Sequence, residues 1–131
     1  MDALFSAAHA NVMSSTMSIS LSGMQAASAM LNVTANNIAN LNTPGFNPSR
    51  ADLVELSGGG VGVTGTSFEN NPQTASSTQT SNVDLPTEMV NLKLSQTLYD
   101  ANAMVLKTAD QMTGTLLNVL DTDHDHDNDH S

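Results

Sequence analysis

Apolar residues in the last third of the chain recur at steps of three and four, the spacing of one helix face. This pattern predicts a helix from Asp84 to Leu120, with Asp84 as its N-cap and Glu88 favoured by the helix dipole. The predicted seam of this helix, at alternating steps of three and four, is Met89, Leu92, Gln96, Tyr99, Ala103, Leu106, Asp110, Thr113, Leu117 and Leu120. A second row lies beside it: Val90, Leu94, Ala101, Val105, Ala109, Met112, Leu116 and Val119. The combined face is wider than one neighbouring helix can cover, which favours an assembling subunit over a closed helical domain.

A second helical segment is predicted at the other end of the chain, from about Ala3 to Leu41. Pro44 and Gly45 follow its last turn and end it, since proline forces its predecessor out of the helical region. The Ser-rich stretch before Ser20 has a weaker pattern, and we expect it to be frayed. The predicted seam of this helix is Leu21, Met24, Ser28, Leu31, Ala35 and Ile38.

The middle of the chain is rich in Gly, Ser, Thr and Asn, and Val61, Val63 and Phe68 alternate there as in a small β-hairpin. Because an isolated hairpin is marginal in water, we expect this region to be mobile unless it packs on something. The predicted fold is mainly α, with long N- and C-terminal helices paired as a coiled-coil-like hairpin. The expected segments are a helix and turn at 1–46, a flexible middle at 47–80, a helix at 81–120 and an acidic His/Asp tail at 121–131.

Charge and composition exclude several functions. The 131-residue chain has 3 basic and 13 acidic residues, a formal net charge of -10, so nucleic acid is not expected as a partner. The chain has no cysteine, which excludes a disulfide framework and a thiol nucleophile. No apolar run reaches the roughly 18 residues that a membrane span requires. The first residues also lack the pattern of a cleavable signal peptide, so composition alone indicates the cytoplasm.

Three asparagines near the end of the N-terminal helix are unusual, because asparagine is a poor helix former. One interpretation is that Asn36, Asn37 and Asn40 donate and accept hydrogen bonds across a crowded interface without adding charge. The other is that they only weaken and terminate the helix.

Two blocks of sequence resemble the motifs of a known family. Residues 21–46, LSGMQAASAMLNVTANNIANLNTPGF, resemble the N-terminal motif of the bacterial flagellar axial proteins, the rod, hook and hook-associated subunits. Residues 81–120, which begin SNVDLPTEMVNLKLSQTLYDANAM, are similar to the C-terminal motif of the same family. About 35 residues separate the blocks, and this short middle is similar to that of the short proximal rod proteins of the C type.

The resemblance implies a role and a place in the cell. Family members pair their terminal helices and pack against neighbouring subunits, so the implied partners are other rod and hook-basal-body subunits, further copies of this chain and the flagellar type III export apparatus. The implied location is the periplasmic rod, reached without a cleaved signal peptide. The implied subunit-interface residues are Leu21, Met24, Leu31, Asn36, Asn37, Ile38, Asn40, Asn42, Pro44, Gly45, Phe46, Met89, Leu92, Tyr99, Asn102, Leu106 and Leu117.

The C-terminal tail alternates Asp and His and lies outside both blocks. A solvated acidic tail is the simpler interpretation, and a weak, non-selective metal site in an extended segment is the other. It fails as an EF-hand, since the required Gly and closing Glu are missing. The weak candidate metal ligands are Asp123, His124, Asp125, His126, Asp127 and His130.

No catalytic motif is present: G-x-S-x-G, Walker-type and H-E-x-x-H patterns are all missing from the sequence. We therefore expect no enzyme activity and no cofactor. The leading hypothesis is a structural subunit of the flagellar rod. The alternatives are a soluble helical adaptor for export or capping, and a metal-binding protein that uses its tail.

Overall fold

Two long antiparallel helices form the body of the protein in the computed structural model, which describes residues 2–69 and 81–125. Helix α1 spans Asp2–Ala39 and helix α2 spans Leu85–Asp125. With 38 and 41 residues, each is on the order of 60 Å long at 1.5 Å per residue. Asn37 of α1 contacts Glu88 of α2, whereas Met13 lies beside Met112, so the helices pair along most of their length. The predicted mainly α fold with paired terminal helices is confirmed.

The contact line between the helices consists mainly of small side chains. The buried residues on it include Ser20, Ala26, Ala27 and Thr34 of α1 and Ser95 and Ala109 of α2. A Cβ on Gly23 would lie only 2.5 Å from Oδ1 of Asn102, so glycine provides the space that this amide occupies. Small residues let the two backbones approach closely.

The predicted seam of α2 is wrong by one position for much of its length. Ser95, Asn102, Ala109 and Leu116 face α1, in place of Gln96, Ala103, Asp110 and Leu117. One residue is a rotation of about 100° around the helix axis. The physical reason is close packing, because the backbones can approach where the facing residues are small.

The seam of α1 is displaced in the same way. Leu21 is 49 % exposed, and the neighbouring Ser20 is buried in its place. Ala35 is exposed, and the neighbouring Thr34 is buried. The bulky apolar positions that the pattern placed in the seam are therefore left partly at the surface.

A two-stranded antiparallel sheet packs against α1. Strand β1 (Ser49–Glu55) pairs with β2 (Val61–Phe68), and an irregularity between Asp52 and Leu53 shifts the register by one residue. The turn holds Gly59 and Gly60, with φ of 87° and 92°. At this tip the backbone N–H of Val61 donates to Ser22 Oγ at 3.1 Å. The predicted hairpin is confirmed, and its strands pack against α1.

The helix limits lie within a few residues of those expected. Residues before Ser20, expected to be frayed, continue α1 as far as Asp2, with Met13 and Met17 against the far part of α2. Helix α2 directly follows Asp84, whose carboxylate accepts a hydrogen bond from the Thr87 hydroxyl. The same helix continues five residues beyond Leu120, so the backbone of the first tail residues is helical.

Gly60 should tolerate no side chain. Its φ is positive, and an added Cβ would lie 2.4 Å from Ser22 Oγ. We expect Gly60→Ala to lower the free energy of unfolding by about 1–3 kcal/mol, measured by urea denaturation followed by circular dichroism. The matched control is Gly58→Ala in the same turn, where no atom lies within 4 Å of the added Cβ. An equal loss in both variants would show that the hairpin tip does not depend on this contact.

Candidate functional site

The end of α1, the start of β1 and the first turn of α2 meet at the side chain of Asn37, which is 0 % exposed. Its Nδ2 donates to the carbonyl oxygen of Ser49 at 2.9 Å and to Glu88 Oε1 at 3.2 Å. Its Oδ1 accepts from the backbone N–H of Ser49 at 3.0 Å. The amide therefore pairs with β1 as a neighbouring strand would, while also reaching α2.

Arg50 completes this arrangement, which we call the Asn37 junction: Asn37, Ser49, Arg50, Glu69 and Glu88. Arg50 Nη1 donates to Glu88 Oε1 at 2.7 Å, and Nε donates to Glu69 Oε1 at 3.1 Å. Burial lowers the pKa of the Arg50 guanidinium, but its hydrogen bonds and charge interactions with Glu88 and Glu69 outweigh that effect and raise the pKa above its usual value. Arg50 thus stays cationic and joins the base of the hairpin to α2.

Glu88 is the most constrained charge in the junction, since its side chain is only 1 % exposed. Its Oε1 accepts hydrogen bonds from both Asn37 and Arg50, and its Oε2 has no hydrogen-bond partner among the described residues. Removing either partner from a buried charge is far more costly than removing a surface ion pair. The sequence assigned Glu88 to the helix dipole, whereas its contacts here are a buried ion pair and an amide.

The chain leaves α1 through a hydrogen-bonded turn. The Asn40 amide donates to the Asn36 carbonyl oxygen at 2.9 Å and accepts from Thr43 Oγ1 at 3.1 Å, so it caps the helix end. The N–H of Phe46 then donates to the Thr43 carbonyl oxygen, with Pro44 second and Gly45, at φ 72°, third in the turn. This order of proline and glycine is typical of a type II turn.

Residues 46–47 are also tied to the approach to α2. The backbone N–H of Asn82 donates to the carbonyl oxygen of Phe46 at 3.0 Å. The side chain of Asn82 donates to Asn47 Oδ1 at 2.7 Å. The two ends of the middle segment therefore meet beside the Asn37 junction.

The asparagines divide between two roles. Asn37 is fully buried and hydrogen-bonded inside its own chain. Asn40 caps the helix locally, as the alternative interpretation holds. Asn36 is exposed at its side chain. These assignments leave Asn36 as the member of the three that neighbouring molecules could reach.

The other predicted interface residues differ in their exposure. The residues that are half-buried within the chain are Met24, Leu31, Ile38, Phe46, Leu92, Asn102 and Leu106. The exposed ones are Leu21, Asn42, Pro44, Gly45, Met89, Tyr99 and Leu117. They divide equally between half-buried and exposed positions, with seven of each.

A continuous apolar surface does occur on α2, along the second predicted row. We call it the outer stripe, and all its members are exposed: Val90, Leu94, Ala101, Val105, Met112 and Val119. Near its centre, Val105 and Met112 border an open groove of about 580 Å³ shared with Val12 and Met13 of α1. Ala109 and Leu116 belong to the same predicted row but turn toward α1.

Sequence reasoning missed Ser49 and Arg50 as site residues. Their partners are 12 and 38 positions away along the chain, and no periodic pattern reports contacts of that kind. The one available signal was that Arg50 is the only arginine.

No evidence for a metal site appears in the part of the chain that the structure describes. Among the side chains that the structure describes, no group of three or more His, Asp or Glu could hold an ion. The candidates from Asp123 to His130 lie outside the described side chains. Neither described helix contains a stretch apolar enough to cross a membrane.

The Asn37 junction should dominate stability. We expect Asn37→Ala to lower the free energy of unfolding by about 2–4 kcal/mol, because it strands Glu88 and both polar backbone groups of Ser49. Urea denaturation followed by circular dichroism measures the loss. The neighbouring Asn36→Ala is the control, and we expect it to change stability by less than about 0.5 kcal/mol since Asn36 is exposed. Similar values for the two variants would contradict the role of the junction.

Comparison with known proteins gives two family matches, one in each helical region. The family described as flagella basal body rod protein matches residues 17–47. The family described as flagellar basal body rod FlgEFG protein C-terminal matches residues 75–119. Together the two matches cover more than half of the chain, in the order in which the helices occur.

Individual proteins agree with these matches. The chain is 40 % identical over 62 residues to the flagellar hook protein FlgE of Salmonella typhimurium and to that of Escherichia coli K12. Each alignment covers 46 % of this chain and 15 % of the hook protein, so the chain spans only a small part of these relatives. The resemblance read from residues 21–46 and 81–120 is confirmed, and the chain belongs to the family of flagellar axial proteins, the rod and hook subunits.

Proposed function

We propose that this chain is a structural subunit of the flagellar basal-body rod, which polymerises through its terminal helices into the hollow axial drive shaft. The observation that carries the proposal is the outer stripe, an apolar row on α2 that α1 and the hairpin leave uncovered. Family membership supports an axial role, and the stripe supplies the surface by which such a subunit would bind its neighbours.

The magnitude of the exposed apolar surface supports assembly. Along the outer stripe, Val90 is 66 % exposed, Val119 is 60 % exposed and Val105 is 46 % exposed. Burying apolar area gives about 25 cal/mol per Å², so a row of such side chains along α2 can contribute several kcal/mol at an interface. A surface of this kind on a small protein usually marks a site of interaction.

The Asn37 junction suits a subunit that transmits force. Arg50 and Asn37 connect the hairpin to both helices through short hydrogen bonds to one buried carboxylate. A load applied to either helix would therefore act on a closed set of polar contacts at one end of the pair. Separating the helices there would leave charged and amide groups unpaired, which resists the motion.

The partners proposed are other rod and hook-basal-body subunits, further copies of this chain and the flagellar export apparatus. The proposed location is the periplasmic part of the flagellar basal body. The two family matches are separated only by residues 48–74, which favours the short proximal rod proteins of the C type within the family. We propose no catalytic activity for the chain.

A matched pair of variants tests the outer stripe. Val105→Glu places a carboxylate in the stripe, and Gln96→Glu places one nine positions away, on the opposite side of α2. Both positions are exposed, so we expect both variants to fold as the parent does. Val105→Glu should reduce swimming motility, measured by colony spreading in soft agar, at least about tenfold, because burying an unpaired charge opposes assembly. Gln96→Glu should stay within about twofold of the parent.

Direct location tests the structural role itself. We expect mass spectrometry of purified hook-basal bodies from the source bacterium to find the chain there, in stoichiometric amounts and resistant to salt washing. The Val105→Glu variant should be missing from the same preparation. Finding the parent chain only in the soluble fraction would contradict the rod proposal and favour a soluble adaptor.

A further inference from the structure

Two contacts between α1 and α2, one made by hydrogen bonds and one by close packing, have the same spacing on both helices. The Asn37 amide meets Glu88, and the Asn102 amide fills the space at Gly23. The two positions on α1 are fourteen residues apart, and so are the two on α2. Fourteen residues are two heptads, so both contacts lie on one seam about 21 Å apart.

The rest of the seam between α1 and α2 does little to fix the register in which the two helices pair. Its buried members, Ser20, Ala27, Ser95 and Ala109 among them, are small and similar to one another. Sliding one helix by a heptad would replace one small residue by another at many positions. Packing of this kind distinguishes weakly between registers, as in repetitive coiled coils.

We propose that the Asn37–Glu88 and Gly23–Asn102 contacts select the register of the helix pair, and so decide which apolar residues each subunit leaves exposed. This is a specificity device within one chain and goes beyond the proposed rod function. Its members are register-determining residues, two amides, one carboxylate and one glycine.

A slip by one heptad breaks both contacts at once. In one direction Glu88 comes opposite Met30, and Asn102 comes opposite Thr16. In the other direction Glu88 passes beyond the end of α1, which is at Ala39, and Asn102 comes opposite Met30. In the first slip the carboxylate faces a thioether, and in both slips the Asn102 amide has no glycine to accommodate it. The unpaired Glu88 carboxylate disfavours the wrong register, and so does the steric clash at Asn102, whose amide stays bonded to the Leu98 carbonyl oxygen of its own helix.

Cysteine cross-linking can report the register, because the chain has no cysteine of its own. Thr16 and Ala109 border the same groove, so the Thr16→Cys/Ala109→Cys pair reports the native register. The Thr16→Cys/Leu116→Cys pair reports the second slip, in which Asn102 comes opposite Met30. In the native register those two positions are about 10 Å out of alignment along the axis, too far for a disulfide. The experiment measures the disulfide that forms within one chain in dilute protein. Mass spectrometry detects this disulfide as the loss of two hydrogen atoms.

We expect only the native pair to cross-link when the contacts are intact. In the variant Asn37→Leu/Glu88→Leu/Asn102→Ala, the ratio of slipped to native cross-links should rise about tenfold or more. In Asn102→Ala alone, with the Asn37 junction intact, it should rise about threefold. Circular dichroism confirms that each variant retains its helices.

An unchanged ratio in helical variants would overturn the proposal, and would assign the register to small-residue packing or to the Asn82–Phe46 contact. If the triple variant loses its helices, Asn102→Ala decides alone, and no rise there overturns the proposal. Because the readout is intrachain, its failure is distinct from a failure of rod assembly.

Discussion

The buried carboxylate of Glu88 is the constraint on which the arrangement of the elements depends. A charge that is 1 % exposed must be paired, and its cationic partner is Arg50 at the base of the hairpin. Asn37 supplies the second donor to the same oxygen and fixes the start of β1 through Ser49. Helix, strand and helix are thus held at one point, and the rest of each element extends away from it.

Away from this point, the protein uses close backbone approach where a globular protein would use bulky side chains. Alanine, serine and glycine along the seam bring α1 and α2 together, but they bury little apolar area per residue. The larger Leu, Val and Met side chains lie to either side, where they remain exposed in the single chain. The same distribution of residues thus produces both a weak internal core and a large exposed apolar surface. This combination suits a chain that completes its packing against neighbouring molecules.

The spacing of apolar residues was sufficient to predict both helices, their pairing and the small hairpin. It failed on which side of each helix faces inward, because periodicity records apolar positions, whereas close packing here selects small ones such as Ser95 and Ala109. The predicted helix limits were close to those observed, but the weak pattern before Ser20 did not indicate the tertiary contacts of Met13 and Met17. The Asn37 junction could not be predicted from the sequence, because Arg50 and Glu88 are brought together only by the fold.

The order of elements along the chain has a consequence for how the protein folds. The contacts that hold the hairpin to α1, Asn37 with Ser49 and Ser22 with Val61, join residues 12 and 39 positions apart, whereas Asn37 and Glu88 are separated by 51. Shorter loops close at a lower entropy cost, so α1 and the hairpin can associate first. Helix α2 then docks onto a surface in which Asn37 and Arg50 still lack their shared partner, the Glu88 carboxylate. The N-terminal half would act as a template for the C-terminal helix, and the contacts of Glu88 would fix the final position of α2 during folding.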